Sequence, residues 1–288
     1  MLPRGRKFFS MSRFPATQGW QCGAKRIEIQ ASRPFLLGIL NVTPDSFSDG
    51  GKFTQVGAAV SHGIKLCEVA DGVDVGGEST RPGADEVSAK EERARVIPIL
   101  REIRKERPEA FLSVDTYKVE VARAAVEEAG VDVVNDVGGG RWDEGMWEWV
   151  AGAGVGYVCM HAGGKPQEMQ KSPSYGNVVQ EVYEFLQERV GGMERAGIVA
   201  DRVVLDVGIG FGKLAEHNRA LLEGDWTGLG RPLLWGLSRK SFLGVTEKER
   251  GLKSREEALD FWHRELFQRG GPMIWRVHDP VRVKEVFR

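Results

Sequence analysis

Eight short apolar segments recur along this chain, each followed by a polar loop and then by a longer amphipathic segment. This alternation predicts parallel strands joined by helices, because each helix carries the chain back to the starting edge of the sheet. The predicted strands cover residues 35–40, 72–75, 111–114, 131–134, 155–160, 202–205, 232–237 and 272–277. Eight strand and helix units within about 250 residues fit a TIM (β/α)8 barrel, which is the α/β fold that we expect.

Apolar residues recur at intervals of three or four residues between the predicted strands, which indicates helices. Gly130 and Gly197 directly follow two of these segments, as glycine commonly does at a helix C-terminus. Pro98 lies inside another segment and is expected to kink it. The predicted helices cover residues 56–70, 86–107, 117–129, 178–196 and 255–268.

A doubly wound open sheet is the alternative architecture. That fold usually has fewer units and carries a G-x-G-x-x-G turn after its first strand. The first strand here runs instead into the sequence NVTPD, and no segment has the composition of an interdomain linker. We therefore expect one barrel domain over residues 26–288, with a short hairpin at residues 26–30 before the first barrel strand.

The N-terminal segment, residues 1–25, carries several basic residues and no acidic one. It lacks the apolar run of a secretory signal, and we expect it to form a flexible tail. A true start at Met11 and an organelle-targeting peptide are two further interpretations that the sequence leaves open.

Composition excludes several classes of function. The formal net charge is -1, so no basic surface for nucleic acid or anionic membranes is indicated. No apolar run is long enough to span a bilayer. The three cysteines include no C-x-x-C pair, which argues against a disulfide framework or a zinc site and favours the cytoplasm.

Polar or charged residues end nearly every predicted strand. Any one of them alone is more commonly a turn former or a helix cap. In a barrel, however, these ends converge on one face, where the active sites of TIM barrels lie. The converging set comprises Asn41, Asp74, Asp115, Asn135, Asp136, His161, Asp206, Lys240, Arg276 and His278.

The set has a chemical logic that points to two kinds of ligand group. Asp115, Asn135 and Asp206 present the acceptors and the amide that can recognise a flat, nitrogen-rich heterocycle. The cations Arg239, Lys240, Arg276 and His278 follow the last two strands, where barrel enzymes frequently hold phosphate. The sequence therefore predicts a polar heterocycle beside an anionic group.

Two loops rich in Gly, Pro and Ser, residues 41–52 and 76–83, are expected to be mobile and to close over a substrate. Residues 208–213 look superficially like a phosphate-binding turn. A lone glycine pattern is weak evidence, and we interpret this one as a tight turn at the barrel rim.

Two long motifs resemble the signatures of the dihydropteroate synthases. Residues 38–51, GILNVTPDSFSDGG, are similar to the first signature, and residues 74–83, DVGGESTRPG, to the second. The resemblance covers roughly residue 35 to the end of the chain. Shorter matches follow in order at residues 113–116, 135–136, 160–161, 208–213, 238–241 and 276–278.

The resemblance implies a transferase of folate biosynthesis. Such an enzyme joins 6-hydroxymethyl-7,8-dihydropterin pyrophosphate to p-aminobenzoate and releases 7,8-dihydropteroate and pyrophosphate. The implied mechanism is SN1-like, with pyrophosphate leaving before the arylamine attacks, and it uses Mg²⁺. The resemblance also implies a homodimer. Its expected ligands are the two small-molecule substrates.

The resemblance further implies which residues bind the pterin. Asp115, Asn135, Asp206 and Lys240 are expected to hold it, with Met160 packing on the ring.

It implies a separate set for the pyrophosphate and for catalysis. Arg276 and His278 are expected to bind the pyrophosphate, and Asn41 is expected to bind it through Mg²⁺. Asp45 and Asp49, on the first loop, are expected to help order the closed site and face the pterin cation.

The remaining implied residues surround the second substrate. Thr80 is expected near the substrate on the second loop. Phe47, Pro82, Lys240 and Ser241 are expected to form the p-aminobenzoate pocket, with the carboxylate at a helix start near Ser241.

Two departures from the family pattern stand out. Val207 follows Asp206 where the family usually has Pro, and Trp275 precedes Arg276 where smaller apolar residues are usual. Two alternative functions remain open on the sequence. One is a non-catalytic pterin-binding paralogue, and the other is a barrel like the methyltetrahydrofolate–corrinoid methyltransferases, which has no need for a pyrophosphate cluster.

Overall fold

The predicted TIM barrel is confirmed by a computed structural model that describes residues 15–43, 52–81 and 83–287. Eight parallel strands close the barrel, preceded by a two-stranded antiparallel hairpin. The hairpin strands are β1 (Thr17–Cys22) and β2 (Lys25–Gln30). The barrel strands are β3 (Phe35–Asn41), β4 (Gly72–Gly76), β5 (Leu112–Asp115), β6 (Val133–Asp136), β7 (Gly156–Met160), β8 (Val203–Asp206), β9 (Leu233–Trp235) and β10 (Met273–Val277).

All eight predicted barrel strands are confirmed, with bounds shifted by one or two residues. Strands β3 to β9 pair in chain order, and β10 closes the barrel between β9 and β3. The two-residue departures are in β6, which is shifted at both ends, and in β9, which stops before Leu237. The carbonyl of Leu237 accepts a hydrogen bond from the Lys240 N–H at 3.2 Å, so the chain has already entered a turn there.

The helices of the described residues surround the barrel. They are α1 (Lys52–Val69), α2 (Ala89–Glu106), α3 (Val119–Ala129), α4 (Met146–Ala153), α5 (Val178–Arg195), α6 (Ala215–Glu223), α7 (Leu243–Arg250), α8 (Arg255–Arg269) and α9 (Pro280–Val286).

Helix boundaries depend on local capping. Helix α2 runs without a break through Pro98 and begins at Ala89 rather than at residue 86. The reason for the later start is Ser88, whose side chain caps the helix by accepting the Glu91 N–H at 3.2 Å. Gly130 ends α3 in the left-handed conformation, as its position in the sequence predicted.

The N-terminal end of the barrel interior is apolar. Side chains of six barrel strands contribute to a buried cluster there, among them Leu37, Val133, Val158, Val204, Leu234 and Ile274. A buried apolar cluster of this kind contributes to the stability of the barrel.

The hairpin covers this apolar end. Trp20 is fully buried, its ring lies 5.6 Å from that of Phe111, and its Nε1 donates to the Arg202 carbonyl at 3.0 Å. The hairpin is longer than the sequence indicated, because β1 lies within residues 1–25, which had been assigned to a flexible tail. Only Trp20 and Cys22 of β1 are buried, too few apolar positions for alternation to mark a strand.

Among the described helices, none is both long enough and apolar enough to cross a bilayer.

Candidate active site

A cavity of about 720 Å³ opens at the C-terminal ends of the barrel strands. This is the face at which active sites of TIM barrels lie. The structure brings nine of the predicted site residues together around it: Asn41, Thr80, Asp115, Asn135, Met160, Asp206, Lys240, Arg276 and His278.

Five predicted site residues remain, of which the structure describes one. Ser241 is exposed in the turn that precedes α7 and does not line the cavity. Asp45, Phe47, Asp49 and Pro82 lie outside the described residues.

Arg276 joins two carboxylates on the floor of the cavity. Its Nε donates to Asp74 Oδ2 and its Nη2 to Asp115 Oδ2, both at 2.6 Å. The same Asp74 oxygen accepts from Asn135 Nδ2 at 2.9 Å. Asp74 is fully buried on β4, so it fixes the orientations of Arg276 and Asn135 from beneath.

The electrostatics of this floor are finely balanced. Burial raises the pKa of Asp115 to about 7, and the neighbouring Asp74 and Glu92 add to the rise. The Arg276 guanidinium opposes it by favouring the carboxylate form. Because Arg276 and Lys240 both favour its carboxylate form, Asp115 can accept hydrogen bonds from a ligand.

A second carboxylate, Asp206, faces the cavity from β8. Burial raises the pKa of Asp206 to about 6, against the Gly208 N–H, which donates to Oδ1 at 2.7 Å. Burial and the nearby Arg276 lower the pKa of Lys240 to about 8, while Asp206 raises it. Lys240 Nζ also lies 3.9 Å from the centre of the Phe211 ring, a cation–π contact that steadies it.

The rim after β9 and β10 is cationic. Burial, helped by Arg239, Arg276, Lys240 and Arg81, lowers the pKa of His278 to about 3, so the imidazole is neutral at physiological pH. Its Nδ1 lies 3.0 Å from Ser238 Oγ.

Arg239 has a φ of +62°, and no other non-glycine residue of the described ranges has a positive φ. Strain of this kind persists where the surrounding structure imposes it, commonly at functional sites. Arg239 lines the cavity, in agreement with its predicted place in the anion-binding group.

The turn at residues 208–213 supports the site rather than forming a phosphate loop. A side chain at Gly208, whose φ is +72°, would lie 1.7 Å from the His161 carbonyl oxygen. Lys213 Nζ bonds the Phe211 carbonyl at 3.0 Å and lies 2.9 Å from His161 Nδ1. His161 and Lys213 thus lie behind the cavity, where burial lowers the pKa of both.

Asp74 was expected at the polar end of the barrel, but its role in orienting Arg276 and Asn135 was not predicted, because that role depends on contacts between strands far apart in the sequence. Glu78 and Arg81 also line the cavity, and their signal was their place within the second long motif.

The fit of a metal ion can be judged from the donors that are present. Within the described ranges, no group of three or more His, Cys, Asp or Glu side chains could hold a metal. Asn41, at the end of β3, offers one neutral oxygen beside the cationic rim. This arrangement suits Mg²⁺, which keeps several waters and takes other ligands from substrate phosphates.

Comparison with known proteins identifies the family. Residues 37–278 match the model of the family described as pterin binding enzyme. The dihydropteroate synthase of Escherichia coli (strain K12) is 42% identical over 272 residues, which covers 92% of this chain and 93% of the relative.

Solved structures show the same likeness. Xanthomonas albilineans dihydropteroate synthase with 4-aminobenzoic acid superposes with a TM-score of 0.82 at 41% identity, covering 94% of this chain and 96% of that one. The same enzyme in complex with 7,8-dihydropteroate gives a TM-score of 0.78 at 38% identity, covering 93% and 96%.

Proposed function

Because this chain belongs to the dihydropteroate synthase family of pterin-binding enzymes, we propose that it joins 6-hydroxymethyl-7,8-dihydropterin pyrophosphate to p-aminobenzoate. The products are 7,8-dihydropteroate and pyrophosphate, so the chain is a transferase. One observation carries the proposal: Asp115, Asn135, Asp206 and Lys240 line the same cavity as the cationic rim.

The floor of the cavity suits the pterin. Asp115 and Asp206 accept hydrogen bonds from the N–H groups of the ring, Asn135 offers both an acceptor and donors, and Lys240 donates. Met160, buried at the end of β7, packs against the ring face. Support comes from the burial of these groups, since hydrogen bonds made away from water discriminate strongly between ligands.

The rim suits the pyrophosphate. Arg239 offers a planar fork that matches phosphate oxygens, and neutral His278 offers a ring N–H. Arg276, whose Nε and Nη2 bind Asp74 and Asp115, offers its positive charge and the N–H groups of Nη1. Arg276 contacts Asp115 on one side and belongs to the cationic rim on the other. Arg276 is therefore well placed to interact with both the pterin ring and the pyrophosphate of the substrate.

Asn41 is the residue that we propose as a protein ligand of Mg²⁺. The ion, when bound, would neutralise charge that develops on the leaving pyrophosphate. Support comes from the position of Asn41 on the cavity wall and from the preference of Mg²⁺ for oxygen donors.

The remaining chemistry needs little from the protein beyond placement. Departure of pyrophosphate separates charge, so groups fixed before the reaction lower the barrier by stabilising the charge that develops. An arylamine is nucleophilic while neutral, and no general base of high strength is required. Thr80 lies at the cavity wall, where the second substrate approaches, and Phe47, Pro82 and Ser241 remain proposed for its pocket.

Catalytic roles for Asp45 and Asp49 on the first loop also remain proposed. Both would face the pterin cation as it forms, where a carboxylate is stabilising.

Release of pyrophosphate by the purified chain tests the function. The expected release needs the pterin pyrophosphate, p-aminobenzoate and Mg²⁺ together, and it stops when EDTA is added. Binding of the pterin without any release would indicate a non-catalytic paralogue instead. Absence of both binding and release would contradict the proposed ligand.

Two further properties are proposed from the family. We expect a homodimer, which a solution mass near twice 31.9 kDa would support. We also expect the cytoplasm as the compartment. All three cysteines are free thiols, which agrees with a reducing environment.

A further inference from the structure

The described residues between β4 and α2, 77–81 and 83–88, are here called the β4 loop. It brings Glu78, Ser79, Thr80 and Arg81 to the cavity wall. The sequence suggested that part of this loop is mobile, yet the structure ties it down at several points.

The strongest tie is a buried charge cluster beneath the loop. Lys118, the residue before α3, extends its ammonium between Glu78 of the loop and Glu92 of α2. The contact with Glu92 Oε2 is 2.6 Å, and Lys118 also bonds Glu78 Oε2. The side chains are 12%, 6% and 1% exposed for Lys118, Glu78 and Glu92, so water screens these contacts little.

Glu78 lies near the start of the loop and is also bonded to a residue near its end. Its second oxygen, Oε1, accepts the backbone N–H of Val87 at 3.1 Å and the hydroxyl of Tyr117 at 3.2 Å. One side chain near the start of the loop therefore holds its end, with Lys118 and Tyr117 as the anchors on the barrel.

Close packing adds to the charge contacts. A side chain at Gly77 would lie 2.7 Å from Val96 Cγ1 and 3.1 Å from Glu92 Cγ, so the loop backbone lies directly against α2. Arg95 of the same helix donates to the Gly77 carbonyl at 2.7 Å.

The tip of the loop is held separately. Gly83 N–H donates to the Pro166 carbonyl at 3.1 Å, and Glu86 lies 3.5 Å from Lys165 Nζ. Both partners belong to the loop that follows β7. The β4 loop is thus braced at its base by the cluster and at its tip by a neighbouring loop.

We propose that Lys118 is a positioning residue that sets the β4 loop, through Glu78 and Glu92, for binding of the second substrate. The inference rests on the proposed function and deepens it. The pterin contacts a floor built on rigid strand ends, whereas p-aminobenzoate approaches along the wall that carries Thr80. Loosening the loop should therefore affect the second substrate far more than the first.

The test is the double variant Lys118→Met/Glu92→Gln, which removes the cation together with one of its two carboxylates. Removing Lys118 alone would leave two buried acids facing each other and would threaten folding. We expect the KM for p-aminobenzoate to rise about tenfold, because a displacement of about 1 Å in a binding group is costly. The KM for the pterin pyrophosphate should change by less than about twofold on the same argument.

A matched control exists at the other end of the barrel. Asp132 there accepts from Lys25 Nζ at 3.0 Å and from Arg104 Nη2 at 3.1 Å. The variant Lys25→Met/Asp132→Asn likewise removes one cation and one carboxylate from a cluster. It should lower the Tm while leaving both KM values unchanged.

Hydrogen exchange provides a readout that needs no turnover. Amides of residues 77–88 should exchange faster in the Lys118→Met/Glu92→Gln variant and at the wild-type rate in the control. If the double variant does not fold, Tyr117→Phe removes one hydrogen bond to Glu78 and keeps the ring. It should raise the KM for p-aminobenzoate about two- to threefold, in keeping with one lost hydrogen bond.

Equal rises in both KM values, or an unchanged KM for p-aminobenzoate in a folded variant, would overturn the proposal. A wild-type chain that forms no product would contradict the proposed function instead. In that case the exchange experiment still decides whether Lys118 positions the loop: unchanged exchange of residues 77–88 would overturn this role.

Discussion

The two ends of the barrel are built from the same strands but by opposite rules. At the N-terminal end, Leu37, Val158 and Ile274 point inward and pack beneath the hairpin. At the C-terminal end of the same strands, Asn41, Met160 and Arg276 line an open cavity. Side chains alternate along a strand, so an inward position near one end can be apolar while the next inward position is polar.

The difference shows in the chemistry of the buried groups. Burial raises the pKa of Asp115 to about 7 and that of Asp206 to about 6, which means that their charged forms are held at some energetic cost. Arg239 also holds a positive φ there. We infer that the apolar end supplies the stability that lets the other end carry strained and poorly solvated groups.

The largest effect is expected from Trp20→Ala at the apolar end. Trp20 is fully buried and its Nε1 is bonded, so its loss should lower the free energy of unfolding by about 3–5 kcal/mol. Denaturant unfolding measures that change. The kcat and KM of the folded fraction should be unchanged. A marked fall in its kcat would show that the apolar end also contributes to catalysis.

Arg276→Lys at the polar end should show the reverse pattern. Lysine keeps the charge between Asp74 and Asp115 but loses the planar fork that contacts both. We expect kcat/KM to fall about 100-fold, with a much smaller change in Tm than for Trp20→Ala. Steady-state kinetics and thermal unfolding of one preparation give both values. Activity within about twofold of wild type would contradict the role of the fork.

The Asp206→Asn variant tests how much the buried charge of Asp206 lowers the stability of the fold, when variant and wild type are compared across a range of pH. The pKa of Asp206 in the folded chain, about 6, lies above its ordinary value of 3.8. The folded state then binds more protons than the unfolded state between those values, so the stability contributed by Asp206 falls as pH rises through that window.

The asparagine variant should therefore match wild type in stability near pH 4 and exceed it by on the order of 1 kcal/mol at pH 8. It should lose pterin affinity at the same time. Thermal unfolding across this pH range is the measurement. A variant that is less stable than wild type at pH 8 would show that the carboxylate stabilises the fold.

Val207→Pro is expected to give the smallest effect. Proline restricts the unfolded chain and should add about 0.5–1 kcal/mol to the free energy of unfolding. Because Val207 follows Asp206, the change should also steady that carboxylate and tighten pterin binding slightly. Paired denaturant and binding titrations would show this. Destabilisation would mean that the backbone at Val207 does not accept proline.

The barrel and the convergence of its polar residues could be predicted because both depend on local pattern. Each strand is a short apolar run that ends on a polar residue, and closure of the barrel then brings those ends together. Asp206 and Asn135 were identifiable in this way.

Other features depend on contacts between distant residues and left no local signal. Strand β1 is defined by its pairing with β2 and by two buried side chains, Trp20 and Cys22. The tethering of the β4 loop depends on Lys118, about 40 residues further along the chain. Glycine and serine in that loop suggested mobility, but composition does not reveal an anchor supplied by another element.

The most direct test of the account is formation of 7,8-dihydropteroate by the wild-type chain and by Lys240→Ala, followed by mass spectrometry under single-turnover conditions. Lys240 interacts electrostatically with both buried carboxylates, Asp115 and Asp206, and contributes to the charge of the rim. The account predicts that wild type converts the bound pterin pyrophosphate to product and that the folded variant forms almost none. Product formation by Lys240→Ala at a rate near that of wild type would contradict the assignment of the site.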